Sequence, residues 1–368
     1  MYKAFIPDPV ADSDFDLSSD AVTAVTRATT ALADLDRSPP KLTSLEGLAR
    51  QLLRAESLAS SRIEGLQLSH RRIAHATYQG AKSHDQRAND IIGNIDAMER
   101  AVELASQTKG IAVEDIQDIH RTLLRFSVDH VIAGKLRTTQ GWIGGSELSP
   151  LNASFIPPPA SYVPGLMEDL CAFINRDELP EIVQAAIVHA QFETIHPFAD
   201  GNGRVGRGLI HVIFRRRGIS SLYVPPLSLV LAAQRKAYIG ALTEYREGDI
   251  NEWIAFFAAA AAASATEANR LAMQVEALES DWIERLGKPR RDATVRQIVA
   301  ELPAYPVIDT GIAAQVTGKS VVAVTNALNQ LEEAVVLMRV DDKKWGRAWE
   351  CPELFDLITR FERDLTVE

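Results

Sequence analysis

The chain is organised around twelve residues, His196-Pro197-Phe198-Ala199-Asp200-Gly201-Asn202-Gly203-Arg204-Val205-Gly206-Arg207. They hold a titratable base, an acid, three glycines and two arginines, an inventory suited to a polyphosphate. Apolar residues recur at helical spacing before the stretch (Ile182, Ala186, Ala190, with Val183 and Ile187) and after it (Leu209, Ile210, Ile213, Phe214), so the pattern reads helix, tight turn, helix. The first amides of a helix lack internal partners and point at whatever precedes them, and the helix dipole adds positive potential there. An anion is therefore expected on the amides of residues 201–204.

Composition narrows the setting. A length of 368 residues with 46% apolar content suits two or three domains with buried cores. The net charge of −10 argues against a general nucleic-acid coat protein, while leaving a small DNA-reading surface open. Two cysteines, Cys171 and Cys351, are too few for a disulfide framework. The first ten residues lack the basic-then-apolar layout of a signal peptide, and the most hydrophobic run, residues 253–263, is too short to span a bilayer. The expectation is a cytoplasmic protein with no membrane partner.

The first forty residues, rich in Asp, Ser and Pro, read as an arm. Thr43 and Glu46 form a capping box for a helix that runs through Glu56 and Ser60 and stops at Gly65. Further helices are marked by Ile91, Ile95, Met98 and Val102, and by Ile116, Ile119, Leu123 and Leu124. Around Gly144-Gly145 the pattern changes, and Trp142 and Ile143 facing Phe155 and Ile156 predict a hairpin. Helices resume up to residue 286, and residues 287–291 read as a linker. The expected division is 1–88, an N-terminal arm and helix; 89–286, the unit carrying the central stretch; and 292–368, a separate C-terminal unit.

Within the central stretch, GNGRVG formally matches a dinucleotide fingerprint. That reading needs a preceding strand and an acidic residue about twenty positions on; the preceding segment is helical, and no acid lies near Tyr223 or Ser228. A metal-binding helix of the His-Glu-x-x-His kind fails as well, because no second His lies four positions from His196. The nine residues HPFADGNGR match every position of the motif HPFx[D/E]GN[G/K]R, and on these residues the chain resembles the Fic family. The resemblance extends to Gly134-Lys135-Leu136-Arg137, Ile143-Gly144-Gly145-Ser146 and Phe155-Ile156-Pro157-Pro158-Pro159.

The resemblance implies a mainly α fold, a helical core with a β-hairpin flap, and transfer of AMP from ATP to a Ser, Thr or Tyr hydroxyl of a target protein, or of the chain itself. In that chemistry His196 would be the general base and Asp200 would hold Mg²⁺. Gly201, Asn202 and Gly203 would cradle phosphate oxygens, with Arg204 and Arg207 gripping the β- and γ-phosphates. Ile143, Gly144, Phe155 and Ile156 would form the flap that docks an extended target segment by strand addition. Tyr238 and Asn251 are candidates for adenine or ribose contact, beside the plainer reading of a packed core. Phosphocholine transfer stays open on the motif alone.

The family's inhibitory pattern, [S/T]xxxE[G/N], occurs twice, at Ser60 to Glu64-Gly65 and at Thr243 to Glu247-Gly248. Ser60 and Glu64 share one face of a helix that ends at Gly65, whereas Glu247-Gly248 looks like an interhelical turn, so Glu64 is chosen. By resemblance its carboxylate would pair with Arg207 and withhold that arginine from ATP, and removal of AMP is a further activity it would support. Residues 292–368 read as two short helices, a long one from 321 to 331, and two extended pieces, 335–340 and 349–351, resembling a small winged-helix α+β domain. Its third helix offers Ser320, Asn326, Asn329 and Gln330 but little positive charge apart from Lys319. Phosphate contacts usually dominate DNA affinity, so protein contact or homodimerisation is preferred to DNA. The alternative is a transcriptional regulator in which this core senses nucleotide.

Overall fold

The computed structural model describes residues 2–37, 45–79, 85–107, 110–145, 149–340 and 347–367. Its first eleven helices are α1 (Ser19–Arg37), α2 (Leu45–Ile63), α3 (His70–Gln79), α4 (Gln86–Gln107), α5 (Val113–Leu123), α6 (Val163–Ile174), α7 (Glu181–Ile195), α8 (Asn202–Arg216), α9 (Leu227–Ala233), α10 (Arg235–Glu247) and α11 (Ile250–Arg285). Residues 182–195 of α7 are all buried, so this helix has no solvent face and must be enclosed on every side. Helices α1, α6, α8, α10 and α11 pack around it, and the Trp253 indole N–H donates to the Ala186 carbonyl at 2.9 Å. The central stretch lies between the C-terminus of α7 and the N-terminus of α8, so the most rigid part of the molecule carries it.

Residues 2–37 are not a loose arm. Within them α1 buries Ala21, Val25, Ala28, Leu32 and Leu35 along α11. Two of these five residues are alanine, which gives a weak periodic signal but lets two helices approach closely. The extended segment before α1 is tied down through its backbone. Asp169 accepts from the amides of Val10 (2.7 Å) and Ala11 (3.1 Å), Gln191 donates to the Asp8 carbonyl (2.8 Å), and the Phe5 amide donates to the Ile156 carbonyl (2.9 Å). Thr43 of the expected capping box lies outside the described residues.

The C-terminal unit comprises α12 (Thr294–Glu301), β1 (Val307–Asp309), α13 (Thr310–Thr317), α14 (Val321–Glu333), β2 (Met338–Arg339), β3 (Ala348–Glu350) and α15 (Pro352–Val367). Its antiparallel sheet has the order β1-β3-β2, with Val307 and Met338 both paired to Glu350. Of the two extended pieces read from sequence, 335–340 contains β2 and 349–351 overlaps β3; β1 and α15 carry no expectation from sequence, and residues 341–346 lie outside the described residues. The unit is packed into the rest of the chain. One apolar cluster joins Ile298, Leu331, Trp349 and Ile358 to Leu48 and Leu52 of α2, Leu229 of α9, and Leu271 and Val275 of α11.

Polar contacts reinforce that junction. Glu362 of α15 is paired with Arg62 and lies 2.7 Å from His70 Nε2. Glu350 is paired with Arg71 and lies 2.7 Å from His75 Nε2, and the Tyr78 hydroxyl donates to Asp309 at 3.0 Å. Burial raises the pKa of the Glu362 carboxyl, but His70 and Arg62 outweigh it and hold the group down at about 2. A folded pKa below the unfolded value contributes stability that is present above the unfolded value, near 4.3, and is lost as pH falls toward 2. Unfolding free energies measured by urea titration are therefore expected to separate wild type from E362Q most at about pH 6, and the gap is expected to shrink steadily on acidification toward about pH 2.

Candidate functional site

His196 ends α7. It adopts a left-handed conformation, φ 50° and ψ 61°, with its amide bonded to the Phe192 carbonyl. Such a φ is uncommon for a non-glycine residue and turns the chain sharply off the helix axis. Arg137 fixes the turn from outside: its Nε donates to the His196 carbonyl (2.8 Å), its Nη1 to Thr139 O (3.0 Å), its Nη2 to Pro158 O (2.5 Å), and its amide to Pro197 O (2.8 Å). The cation thus caps carbonyls at the negative end of α7. The Asn202 side chain closes the loop from inside, accepting from the Phe198 amide and donating to the Phe198 carbonyl, both at 2.8 Å. Helix α8 starts at Asn202 after Gly201, whose φ of +79° supplies the reversal, and no side chain caps the new helix. That leaves its first amides available to an anion.

His120 was not singled out by the sequence reading. Its Nδ1 accepts from the Gly134 amide (2.9 Å), so the ring proton is on Nε2, which donates to the Asp200 carbonyl at 3.0 Å. The ring stacks on Phe198 with centroids 3.8 Å apart and planes 11° from parallel. Burial pushes its pKa down to about 4, so it stays neutral and fixes the backbone under Asp200. The available signal was a polar residue beside Ile116, Ile119 and Leu123 on the buried stripe of α5. Arg137 lies in a segment noted for its resemblance, but no role for it is legible there without the turn that it caps.

The functional groups have distinct electrostatic environments. Burial, then Arg137 and Arg246, push the His196 pKa down to about 4, and its buried Nδ1 has no hydrogen-bond partner among the described residues. It is therefore a neutral imidazole at pH 7, free to accept a proton. Asp200 is half-exposed and gives one oxygen to Arg204 Nη2 at 3.0 Å. Among the described residues no three His, Cys, Asp or Glu side chains cluster as a metal cage. One accessible carboxylate fits a Mg²⁺ ion that takes its remaining ligands from substrate oxygens and water.

Arg207 is 1% exposed. Its Nε donates to Ser60 Oγ (2.9 Å), and its Nη2 donates to the Ser60 carbonyl (2.9 Å) and to Glu64 Oε1 (2.8 Å). Glu64 follows the last residue of α2, and Gly65, φ +83°, completes the turn with the Leu66 amide bonded to Ser61 O and the Gly65 amide to Arg62 O. The Glu64 carboxylate also lies against the start of α8: a Cβ added to Gly203 would come 2.0 Å from Glu64 Oε1. Burial raises the carboxyl's pKa, and Arg207 overcomes this and lowers it, so Glu64 is an anion at the mouth of the amide cradle. The structure therefore brings together His196, Asp200, Gly201, Asn202, Gly203, Arg204, Arg207, Ser60 and Glu64.

Two expectations need correction. Tyr238 is 3% exposed and its hydroxyl is 2.7 Å from His189 Nε2, so it is shut into the core and cannot face an adenine. Asn251 spends its amide on the N-terminal segment, accepting from Ser18 N (2.7 Å) and donating to Asp16 O (3.0 Å). Of the expected hairpin the described residues show the antiparallel bridge of Ile143 with Phe155, with Gly144 at φ +73°; Ser146 lies outside the described residues. The Phe155 ring sits under the Arg246 guanidinium at 3.8 Å. The Ile156 carbonyl is already taken by Phe5, so that edge would open to a target strand only if the N-terminal segment moved.

The models of two related families match the chain: Fic/DOC family at residues 110–214 and Fic/DOC family N-terminal at residues 22–103. A protein adenylyltransferase fic-1 of Caenorhabditis briggsae is 32% identical over 176 residues, covering 46% of this chain and 31% of that protein. A protein adenylyltransferase Fic of Culex quinquefasciatus is 31% identical over 240 residues, covering 61% and 44%. The chain thus matches between about a third and under half of the length of these relatives. In fold it is similar to a Fic family protein from Desulfovibrio desulfuricans, with TM-score 0.55, 22% identity, and 92% of this chain and 97% of that chain covered. Fic-1 of Caenorhabditis elegans gives TM-score 0.54 at 24% identity, covering 67% and 70%. On its motif, its two family matches and its fold, the chain belongs to the Fic/DOC family.

Proposed function

We propose that the chain is an autoinhibited protein adenylyltransferase, moving AMP from ATP to a hydroxyl side chain of a target protein. The observation that carries this reading is the Glu64 carboxylate seated against Gly203 and bonded to Arg207, beside a neutral His196. In the transfer, His196 takes the proton as the target oxygen bonds to the α-phosphorus. The bond from that phosphorus to the bridging oxygen breaks, and pyrophosphate leaves. The first amides of α8 and the guanidinium of Arg204 hold phosphate oxygens, and Arg207, once released, holds the terminal phosphate. Mg²⁺ at Asp200 would add charge neutralisation on the phosphates. With Glu64 seated, a like charge occupies the position of that terminal phosphate, so ATP is excluded from the productive pose.

The C-terminal unit we read as a winged-helix-like module for protein contact. Val321 and Val322, at the start of α14, are 62% and 72% exposed, a surface better suited to a protein than to phosphate. Residues 292–368 would then serve interaction and residues 89–286 transfer, in a soluble protein of the cytoplasm.

In an assay with ATP labelled at the α-phosphate, E64G is expected to raise incorporation into protein by about tenfold or more. H196A in that background is expected to lower it by about 10²-fold or more. Incorporation by E64G no greater than wild type would remove the autoinhibition. Glu64 is the carboxylate that raises the His196 pKa against Arg137 and Arg246, so the pKa in E64G is expected to lie at or below about 4. The acid limb of kcat/KM attributable to this base is accordingly expected near or below pH 4, and a limb centred near 6.5 would contradict the buried, cation-flanked imidazole.

A further inference from the structure

The turn that carries Glu64 is held from two sides. Residues two apart at a helix end do not share a face, and here they serve different partners: Glu64 reaches Arg207 of α8, while Arg62 reaches Glu362 of α15. Glu362 also takes His70, the first residue of α3, at 2.7 Å. One carboxylate, 9% exposed at its side chain, therefore ties together the two ends of the loop between α2 and α3. A second, Glu350, anchors the next turns of α3 through Arg71 and His75, and the Tyr78 hydroxyl reaches Asp309. Farther up α2, Arg54 Nη2 donates to the Ala304 carbonyl at 3.4 Å. Beside the Glu362 contacts lies an open cleft of about 830 Å³ lined by Arg62, Ser69, His70, Arg72, Arg87 and Glu362, so these polar contacts border solvent on one side.

From these contacts we propose a further function for the C-terminal unit: through Glu362 it is the restraint that keeps the Glu64 carboxylate seated, and displacement of α15 from the α2–α3 turn releases transfer activity. The argument is geometric. Glu64 lies just beyond the last hydrogen-bonded turn of α2, where a helix end would otherwise fray, and its reach to Arg207 requires that turn to stay formed. The Arg62 and His70 contacts pin both sides of the turn to a surface that is not part of the site. The unit thus acts on the catalytic arginine through a segment that touches both, coupling two regions by one movable element.

This inference rests on the proposed autoinhibition, and the experiment separates the two. In the full chain, hydrogen exchange of peptides spanning residues 60–66 is measured together with incorporation of labelled AMP, for wild type, E362A, E362Q, E64G and E64G/E362A. E362A is expected to speed exchange in residues 60–66 while α7 and α8 keep their protection, and to raise incorporation by roughly 5- to 50-fold. E362Q, which keeps size and hydrogen bonding, is expected to move both in the same direction by less, and serves alone if E362A fails to fold. The double variant is expected to match E64G, because nothing remains to release. Unchanged exchange in folded E362A or E362Q overturns the restraint. A double variant exceeding E64G by the factor that separates E362A from wild type overturns it too, since the effect would then bypass Glu64. If E64G itself incorporates no AMP, the autoinhibition falls, and exchange alone decides whether Glu362 holds the turn.

Discussion

A guanidinium buried to 1% exposure has to be paired, and the position of Arg207 therefore dictates where α2 ends. Removing one partner of a buried ion pair typically costs about 3–5 kcal/mol, although the intact pair adds little net stability. The contact accordingly specifies register more than it strengthens the fold. Helix α2 repeats the device along one face. Ser60 and Glu64 serve Arg207, and four residues earlier Glu56, fully buried, accepts from the Ser228 amide at 2.6 Å and lies 3.0 Å from His211 Nε2. On a neighbouring face the Asn94 side chain donates to Ser57 O and Ser61 Oγ. An apolar stripe tolerates sliding by a turn, whereas these groups would each lose a partner if α2 shifted by a few ångströms.

The same economy explains why the site is enclosed on one side and exposed on the other. Helix α7 is enclosed all round, and His196 is fixed by Arg137 on the outside of its turn. Asn202 and His120 hold the loop through its backbone, leaving the first amides of α8 and the carboxylate of Asp200 toward the opening. Glu64, by contrast, comes from a loop-bounded helix end and is 38% exposed at its side chain. A preorganised cradle with a movable anion above it is what charge exchange between a carboxylate and a phosphate requires.

What the sequence disclosed follows from distance along the chain. The residues from His196 to Arg207 are neighbours in sequence, so their geometry is nearly a local property of one turn and two helix ends. Glu64 was legible although 143 positions away from Arg207, because the family's inhibitory pattern falls on it, and the helix that ends at Gly65 with Ser60 one turn earlier set it apart from the second match at Glu247. Where spacing alone had to stand in for packing, the reading failed. Tyr238 and Asn251 have the right chemistry for a nucleotide, but His189 and the N-terminal segment had already claimed their polar atoms. Helix α1 was hidden by alanine, whose small side chain packs well and patterns poorly. Strand β1, three residues long, exists only because Glu350, Trp349 and Ala348 lie beside it, and no local signal announces such a strand.

The charge of Glu64 is placed where two helix ends oppose one another. At the C-terminus of α2 a carboxylate faces unpaired carbonyls and is disfavoured, typically by about 0.3–1 kcal/mol; at the N-terminus of α8 the same charge is favoured by a similar amount. Glu64 thus gains from the second helix what it loses at the first, and Arg207 supplies the decisive attraction. A phosphate meeting the same amides and the same guanidinium has no opposing α2 dipole, since it is not attached to that helix. On the proposed autoinhibition, the carboxylate would therefore be the intrinsically weaker of the two anions at this position. It would hold the site only while its attachment keeps its local concentration high, which would make the anchoring of the α2–α3 turn, and not the strength of the Glu64–Arg207 bond, the quantity that decides which anion is bound.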